Sequence, residues 1–224
     1  MQKNLIIGYG EVGRALHKII GGDIHDPMKQ LFANGKYDVM HVCIPFFDNF
    51  VGEMRQYKRL FKPNLVIIHS TVPIGTSKRL GAVHSPIRGV HPQLEKGIRT
   101  FVKYFGGKEA KKAANLFKKY GILVKVVQKS ETTEAAKLWD TTQYGSFILL
   151  NKEIKTWCEK NMVDFDIVYR DFNETYNIGY SKLGMSHVKR PALKFVKGPI
   201  GGHCVLQNAK LLDSETARRL DKSS

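Results

Sequence analysis

Short apolar runs alternate with amphipathic stretches through the first half of the chain, the order expected when parallel strands are joined by helices packed on a sheet. The apolar runs predict strands over 4–7, 23–25, 39–44, 65–69, 101–105 and 122–127. Apolar positions at helical spacing predict helices over 12–20, 48–62, 76–80 and 108–120, with Gly106, Gly107 and Gly121 marking turns. Around Ser130 the pattern changes. From Glu131 to about Lys160 there is no Pro and, Gly145 apart, no Gly. Ala135, Leu138, Trp139, Thr142, Phe147, Leu150, Ile154 and Trp157 predict one broad buried stripe on a single long helix. Such a helix, near 45 Å at about 1.5 Å per residue, outruns an α/β domain and predicts the spine of a second unit. A Gly/Pro-rich passage over 179–202 and one final helix over 205–221 follow. The expected division is 1–129 and 130–224.

The composition changes this picture little. With 224 residues, 42% of them hydrophobic and 25% charged, the chain has the balance of a globular protein large enough for a real core. It opens almost at once on an apolar strand, so no signal peptide is expected, and no run approaches membrane-spanning length. Cys43, Cys158 and Cys204 are odd in number and lack metal-ligand spacing, so reducing cytoplasm is expected and no metal site is. The net charge of +16 does matter, because it attracts anions at long range. No nucleic-acid motif accompanies it, and Lys108, Lys111, Lys112, Lys118 and Lys119 also read as a solvated helix face.

Candidate chemistry begins at Gly8-Tyr9-Gly10-Glu11-Val12-Gly13, a G-x-G-x-x-G turn between a strand and a helix. Gly8 permits the tight turn, Gly10 lets a pyrophosphate approach the backbone, and Gly13 allows close helix–strand packing. The helix N-terminus then offers its N–H groups to the diphosphate. Asp26 ends the second strand, where a carboxylate bonds ribose hydroxyls and repels a 2′-phosphate, so NAD is expected rather than NADP. The segments ending in Ile44-Pro45 and Ser70-Thr71 each follow an apolar strand and are placed at the ligand-binding edge of the sheet, although their prolines also read as plain connections. Lys137, in the first turns of the long helix, is a candidate for oxyanion stabilisation or a solvated lysine. Near the C-terminus, Gly198-Pro-Ile-Gly-Gly-His203-Cys204 delivers a thiol at the end of a glycine-rich turn. This reads as a nucleophile poised by backbone donors, or as a helix-entry turn with a small buried cysteine. Lys189, Arg190 and Lys194, with His203 beyond them, are candidates to hold an anionic substrate, and a solvated basic loop is the alternative.

Taken in order, the glycine turn, Val42-Cys-Ile-Pro45, Ser70-Thr-Val-Pro-Ile-Gly-Thr76, Glu134-Ala-Ala-Lys137 and Gly201-Gly-His-Cys204 resemble the UDP-glucose/UDP-N-acetylmannosamine dehydrogenase family, within the 6-phosphogluconate-dehydrogenase-like superfamily. The resemblance implies an α/β fold: a Rossmann-type doubly wound, mostly parallel sheet followed by a long-helix, all-α dimerisation domain. It implies a form lacking the family's C-terminal UDP-binding domain, so that a partner chain supplying a substrate domain is an open alternative. It further implies NAD as cofactor, a homodimer through the long helix, Cys204 as aldehyde-trapping nucleophile, Lys137 as oxyanion partner, Thr71 at an active-site water and Glu153 as a helix glutamate of the pattern. Departures stand at Thr141, where the family places asparagine, and at Asn208, where it places aspartate. Leu206 replaces a proline, and Ser85-Pro86-Ile87 lacks a glutamate. An amide cannot take a proton as a carboxylate does, which leaves either altered chemistry or a non-catalytic NAD-binding module. His91-Pro92 resembles the His-Pro loop of prephenate-dehydrogenase-like relatives, and a structural histidine fits equally well.

Overall fold

The computed structural model describes residues 2–89, 91–200 and 203–222, with the His203 side chain left out. In chain order the elements are β1 (Asn4–Ile7), α1 (Glu11–Ile20), β2 (Asp23–His25), β3 (Val39–Val42), α2 (Phe50–Phe61), β4 (Leu65–Ile68), α3 (Thr76–Leu80), β5 (Val83–His84), α4 (Leu94–Thr100), β6 (Lys103–Gly106), α5 (Ala110–Lys118), β7 (Val124–Val127), α6 (Ser130–Lys160), α7 (Phe172–Lys182), α8 (His203–Ala209) and α9 (Glu215–Lys222). Among the described residues, no helix is long and apolar enough to cross a membrane. The chain divides into two compact units, Met1–Lys137 and Leu138–Ser224, so the first two turns of α6 belong with the sheet.

The first unit holds a seven-stranded sheet ordered β2-β1-β3-β4-β5-β6-β7. Its pairings are parallel except β5 with β6, which meet antiparallel at His84 and Gly106. The central strands β1, β3 and β4 bury both faces, which is why they read as continuous apolar runs. In β1, Ile6 enters one layer with Leu16 and Ile19 of α1 and Phe117 of α5, while Leu5 and Ile7 enter the other with Phe50, Met54 and Phe61 of α2. This is the doubly wound α/β architecture expected from the sequence. Two short elements escaped the pattern: two-residue β5, and α4, whose seven residues carry too few apolar positions to set a period.

In the second unit the broad stripe expected on α6 is buried only in part. Leu138, Thr142 and Gly145 are buried, whereas Trp139, Leu150 and Trp157 are 46%, 50% and 57% exposed. Apolar residues occupy two faces of α6, and spacing alone does not say which one packs. Leu138 joins Val205, Ala209, Leu212, Ala217 and Leu220 in the core of this unit. A Cβ at Gly145 would come within 2.6 Å of Val205 and 3.0 Å of Leu220, so the missing side chain lets α8 and α9 seat against α6. The single final helix expected over 205–221 is two helices. A turn over 210–214 separates them, and Ser214 Oγ accepts the Ala217 N–H at 3.1 Å to start α9.

Candidate functional site

The glycine turn connects β1 to α1 in the conformation its residues require. Gly8 has φ +89°, and a Cβ there would meet Ile44 Cγ2 at 2.5 Å. At Gly13 a Cβ would meet the Gly8 carbonyl oxygen at 2.0 Å, so only glycine lets α1 start this close to the strand. Gly10 differs, since a Cβ there would meet nothing within 4 Å. The turn is closed on its inner side and open above Gly10.

Asp26 follows β2 directly, and its Oδ2 accepts the Tyr9 N–H at 2.8 Å. The Tyr9 carbonyl accepts from Lys29 Nζ at 2.6 Å, and that ammonium also lies over the Tyr9 ring. The carboxylate therefore orders the turn while standing at its rim. Val12 packs against the core, and Glu11 pairs with Nδ1 of His91. His91 thus engages the glycine turn, a connection its Pro92 context did not reveal.

The other predicted cofactor residues follow the adjacent strands. Ile44 and Pro45 follow β3, and Ser70 and Thr71 follow β4, so both pairs lie at the same strand-end edge as the glycine turn. Ile44 packs on the core, while Ser70 and Thr71 are half-buried. Glu134 is fully buried, and its two carboxylate oxygens accept the Gly75 N–H at 2.6 Å and the Ser77 N–H at 2.8 Å. Lys137 stands one helical turn further on and is half-buried. Sequence reasoning quoted Glu134 only as a neighbour of Lys137. Its signal was an acid at helical spacing from a lysine, on a helix face otherwise turned inward.

Beneath this edge lies a polar layer that sequence reasoning also missed. His41 Nδ1 is 3.1 Å from His69 Nε2, His69 Nδ1 is 3.0 Å from the Ser85 carbonyl, and Lys103 Nζ donates to that carbonyl at 3.0 Å. All four residues are buried. Burial drives the Lys103 ammonium down to about 7 and the His41 ring to about 3, and holds His69 well below its ordinary value. Burial also lifts the Cys43 thiol to about 12, so it stays protonated. The only trace in the sequence is polar residues inside or beside apolar strands.

In the second unit, Cys204 lies on α8 and is exposed, which removes the buried-apolar alternative. The glycines before it, Gly201 and Gly202, lie outside the described residues, as does the His203 side chain. One turn beyond Cys204, Asn208 Nδ2 donates to Thr141 Oγ1 at 3.3 Å. Glu153 is exposed and pairs with Arg219 at 3.8 Å. The Arg190 guanidinium stacks on Tyr176 at 4.3 Å, and Asn177 holds the Arg190 backbone through its N–H and its carbonyl, both at 2.8 Å. Lys189 and Lys194 are exposed on the same irregular segment.

No protein-family model and no curated protein matches the sequence. Solved structures do match in fold. A UDP-D-ManNAc dehydrogenase from Pyrococcus horikoshii superposes with a TM-score of 0.69 at 18% identity, over 98% of this chain and 68% of that one. A 3-hydroxyisobutyrate dehydrogenase from Mycobacterium tuberculosis gives 0.69 at 14% identity, over 99% of this chain and 92% of that one. A UDP-N-acetyl-mannosamine dehydrogenase from S. aureus gives 0.66 at 16%, over 99% and 68%. The fold is therefore one carried by dehydrogenases, and this chain spans about two thirds of the sugar-nucleotide enzymes it resembles.

Proposed function

We propose that the protein is an NAD-dependent dehydrogenase acting on a CH–OH group of a small anionic substrate, sugar-nucleotide-like in its chemistry. The observation that carries the reading is the glycine turn, packed tight at Gly8 and Gly13 and open above Gly10. That is the shape a diphosphate needs. The N–H groups opening α1 receive the diphosphate, and Asp26 takes the ribose hydroxyls while Tyr9 N–H holds it in place. Ile44, Pro45, Ser70 and Thr71 border the rest of the cofactor. Bound NAD supplies the acceptor for the hydride that leaves the carbinol carbon. Lys137 balances the charge on the carbinol oxygen as its proton departs to solvent water. The Cys204 thiol then adds to the aldehyde, sulfur bonding to carbon and the proton passing to oxygen. Lys189, Arg190 and Lys194 offer the positive charge for an anionic substrate.

The bond between Asn208 and Thr141 favours a second reading. With an amide where water activation needs a base, the chain serves as an NAD-binding module completed by a partner, or stops at the carbonyl. Either way the exposed Trp139, Leu150 and Trp157 suit a second copy, because their separations on α6 are near whole numbers of turns and place them in one row.

The experiment is a calorimetric titration with NAD, using NADP as comparison, followed by NADH absorbance in the presence of sugar nucleotides and 3-hydroxy acids. NAD binding with turnover supports the enzyme, and NAD binding without it supports the module. Binding of neither cofactor overturns both.

A further inference from the structure

The Ser70–Ser77 connection after β4 is tied down at both ends by consecutive residues of α6. At its far end, the buried Glu134 carboxylate accepts the Gly75 and Ser77 N–H groups. At its near end, His84 Nε2 lies 3.2 Å from the Ser70 carbonyl while His84 Nδ1 lies 2.9 Å from Thr133 Oγ1. Burial holds the His84 ring neutral, so one nitrogen carries hydrogen. A carbonyl can only accept, which assigns the N–H to Nε2 and leaves Nδ1 to receive the threonine hydroxyl. Thr133 Oγ1 is also 2.8 Å from the Ser130 carbonyl, so its single hydrogen serves both acceptors.

Close approach of α6 to the sheet makes these ties possible. A Cβ at Gly106, the last residue of β6, would meet Thr133 Oγ1 at 2.6 Å and the Lys129 carbonyl oxygen at 2.7 Å. Gly106 is therefore the seat on which the first turn of α6 rests. Lys137 is carried on the same helix, one turn beyond Glu134.

We infer that Thr133 and Glu134 are positioning residues that fix the Ser70–Thr71 segment for cofactor while holding it in register with the helix that bears Lys137. The inference rests on the cofactor reading above and adds to it a mechanical cause. The two ties differ in kind. A carboxylate bonded to two amides is charge-assisted and strong, whereas the Thr133–His84–Ser70 relay is neutral and weaker.

Glu134→Gln keeps the shape but turns an NH2 group toward an amide that needs an acceptor, and Thr133→Val removes the hydroxyl at nearly constant volume. Thr133→Ser restores the hydroxyl and is the rescue. The readouts are hydrogen exchange at the Gly75 and Ser77 amides and calorimetric titration with NAD. Glu134→Gln is expected to speed exchange at those two amides and to raise the Kd for NAD, each by about tenfold. Thr133→Val is expected to raise the Kd about threefold, and Thr133→Ser to return it to the unaltered value. Faster exchange with an unchanged Kd would make the ties scaffolding alone and overturn the inference, as would a valine variant that binds NAD normally. If Glu134→Gln does not fold, the threonine pair decides by itself. Failure of the unaltered protein to bind NAD overturns the cofactor reading and this inference with it, an outcome visible before any variant is made.

Discussion

Asn208 donates through Nδ2 to Thr141 Oγ1, and the Thr141 hydroxyl in turn donates to the Leu138 carbonyl at 3.0 Å. The order is self-consistent. Thr141 spends its one hydrogen on the carbonyl and offers a lone pair to the amide. The two positions that depart from the sugar-nucleotide dehydrogenase pattern are thus partners in space, and the departure at one is matched to the departure at the other.

That pairing predicts how the protein responds when the residues of that pattern are introduced. Asn208→Asp alone places a second acceptor against the Thr141 oxygen at a position only 6% exposed. It is expected to cost about 1–3 kcal/mol, the range for leaving a buried polar group unmatched. Thr141→Asn combined with Asn208→Asp supplies a donor again and should recover part of the loss. Chemical denaturation of the two single variants and the double variant gives the coupling energy. An additive double variant would show that the positions are independent.

The buried layer under the strand ends predicts an unusual pH profile. In the unfolded chain Lys103 keeps its proton to about 10.4, the ordinary lysine value, whereas in the folded protein burial releases it near 7. Between those values the unfolded state holds the Lys103 proton and the folded state does not, so this group raises stability with pH through that window. Above the ordinary thiol value of about 8.5 the rise is offset by Cys43, which burial keeps protonated in the fold. His41 and His84, both lowered to about 3 chiefly by burial, add a second rise on the acid side, from about 3 up to the ordinary histidine value near 6.5, and His69, held well below that value by burial, acts in the same direction. Unfolding free energies at pH 7 and pH 9.5 should therefore differ in favour of the higher pH. Falling net positive charge acts in the same direction. Lys103→Met isolates the buried group: the variant should lose most of the difference, and retention of the full difference would assign it to surface charge.

The row Trp139, Leu150 and Trp157 makes a prediction about assembly. If a second copy covers it, Trp139→Glu and Trp157→Glu together should convert a dimer to a monomer by light scattering, with the melting temperature of the sheet unit unchanged. A protein that is monomeric before substitution removes the proposed homodimer and leaves the row for another partner.

The sheet and glycine turn were legible because strands buried on both faces leave continuous apolar runs, and because Gly8 and Gly13 occupy positions where a side chain collides with backbone or with Ile44. The buried face of α6 was not. Trp139 and Leu138 are neighbours in sequence, and only the seating of Val205 and Leu220 against Gly145 selects Leu138 for the interior. Glu134 and Lys103 were missed for a related reason. A charged residue reads as exposed in any pattern until the amides or carbonyl that hold it are known. The divided C-terminal helix shows the same limit at short range, since the Ser214 cap interrupts a stretch whose apolar spacing continues across it.

Gly13 and Gly10 of the turn separate folding from cofactor binding. At Gly13 an added methyl would lie 2.0 Å from a backbone carbonyl oxygen, so Gly13→Ala forces α1 away from β1 and should cost about 1–3 kcal/mol together with cofactor binding. At Gly10 the backbone has φ −73°, which any L-residue adopts, and an added methyl meets nothing. Gly10→Ala should therefore keep the melting temperature of the unaltered protein. Its methyl nevertheless occupies the open space above the turn, which in the dehydrogenase reading belongs to the diphosphate. NAD affinity is expected to fall by at least about tenfold, the equivalent of about 1.4 kcal/mol of lost contact. A Gly10→Ala protein that folds normally and still binds NAD at full strength would place the cofactor elsewhere.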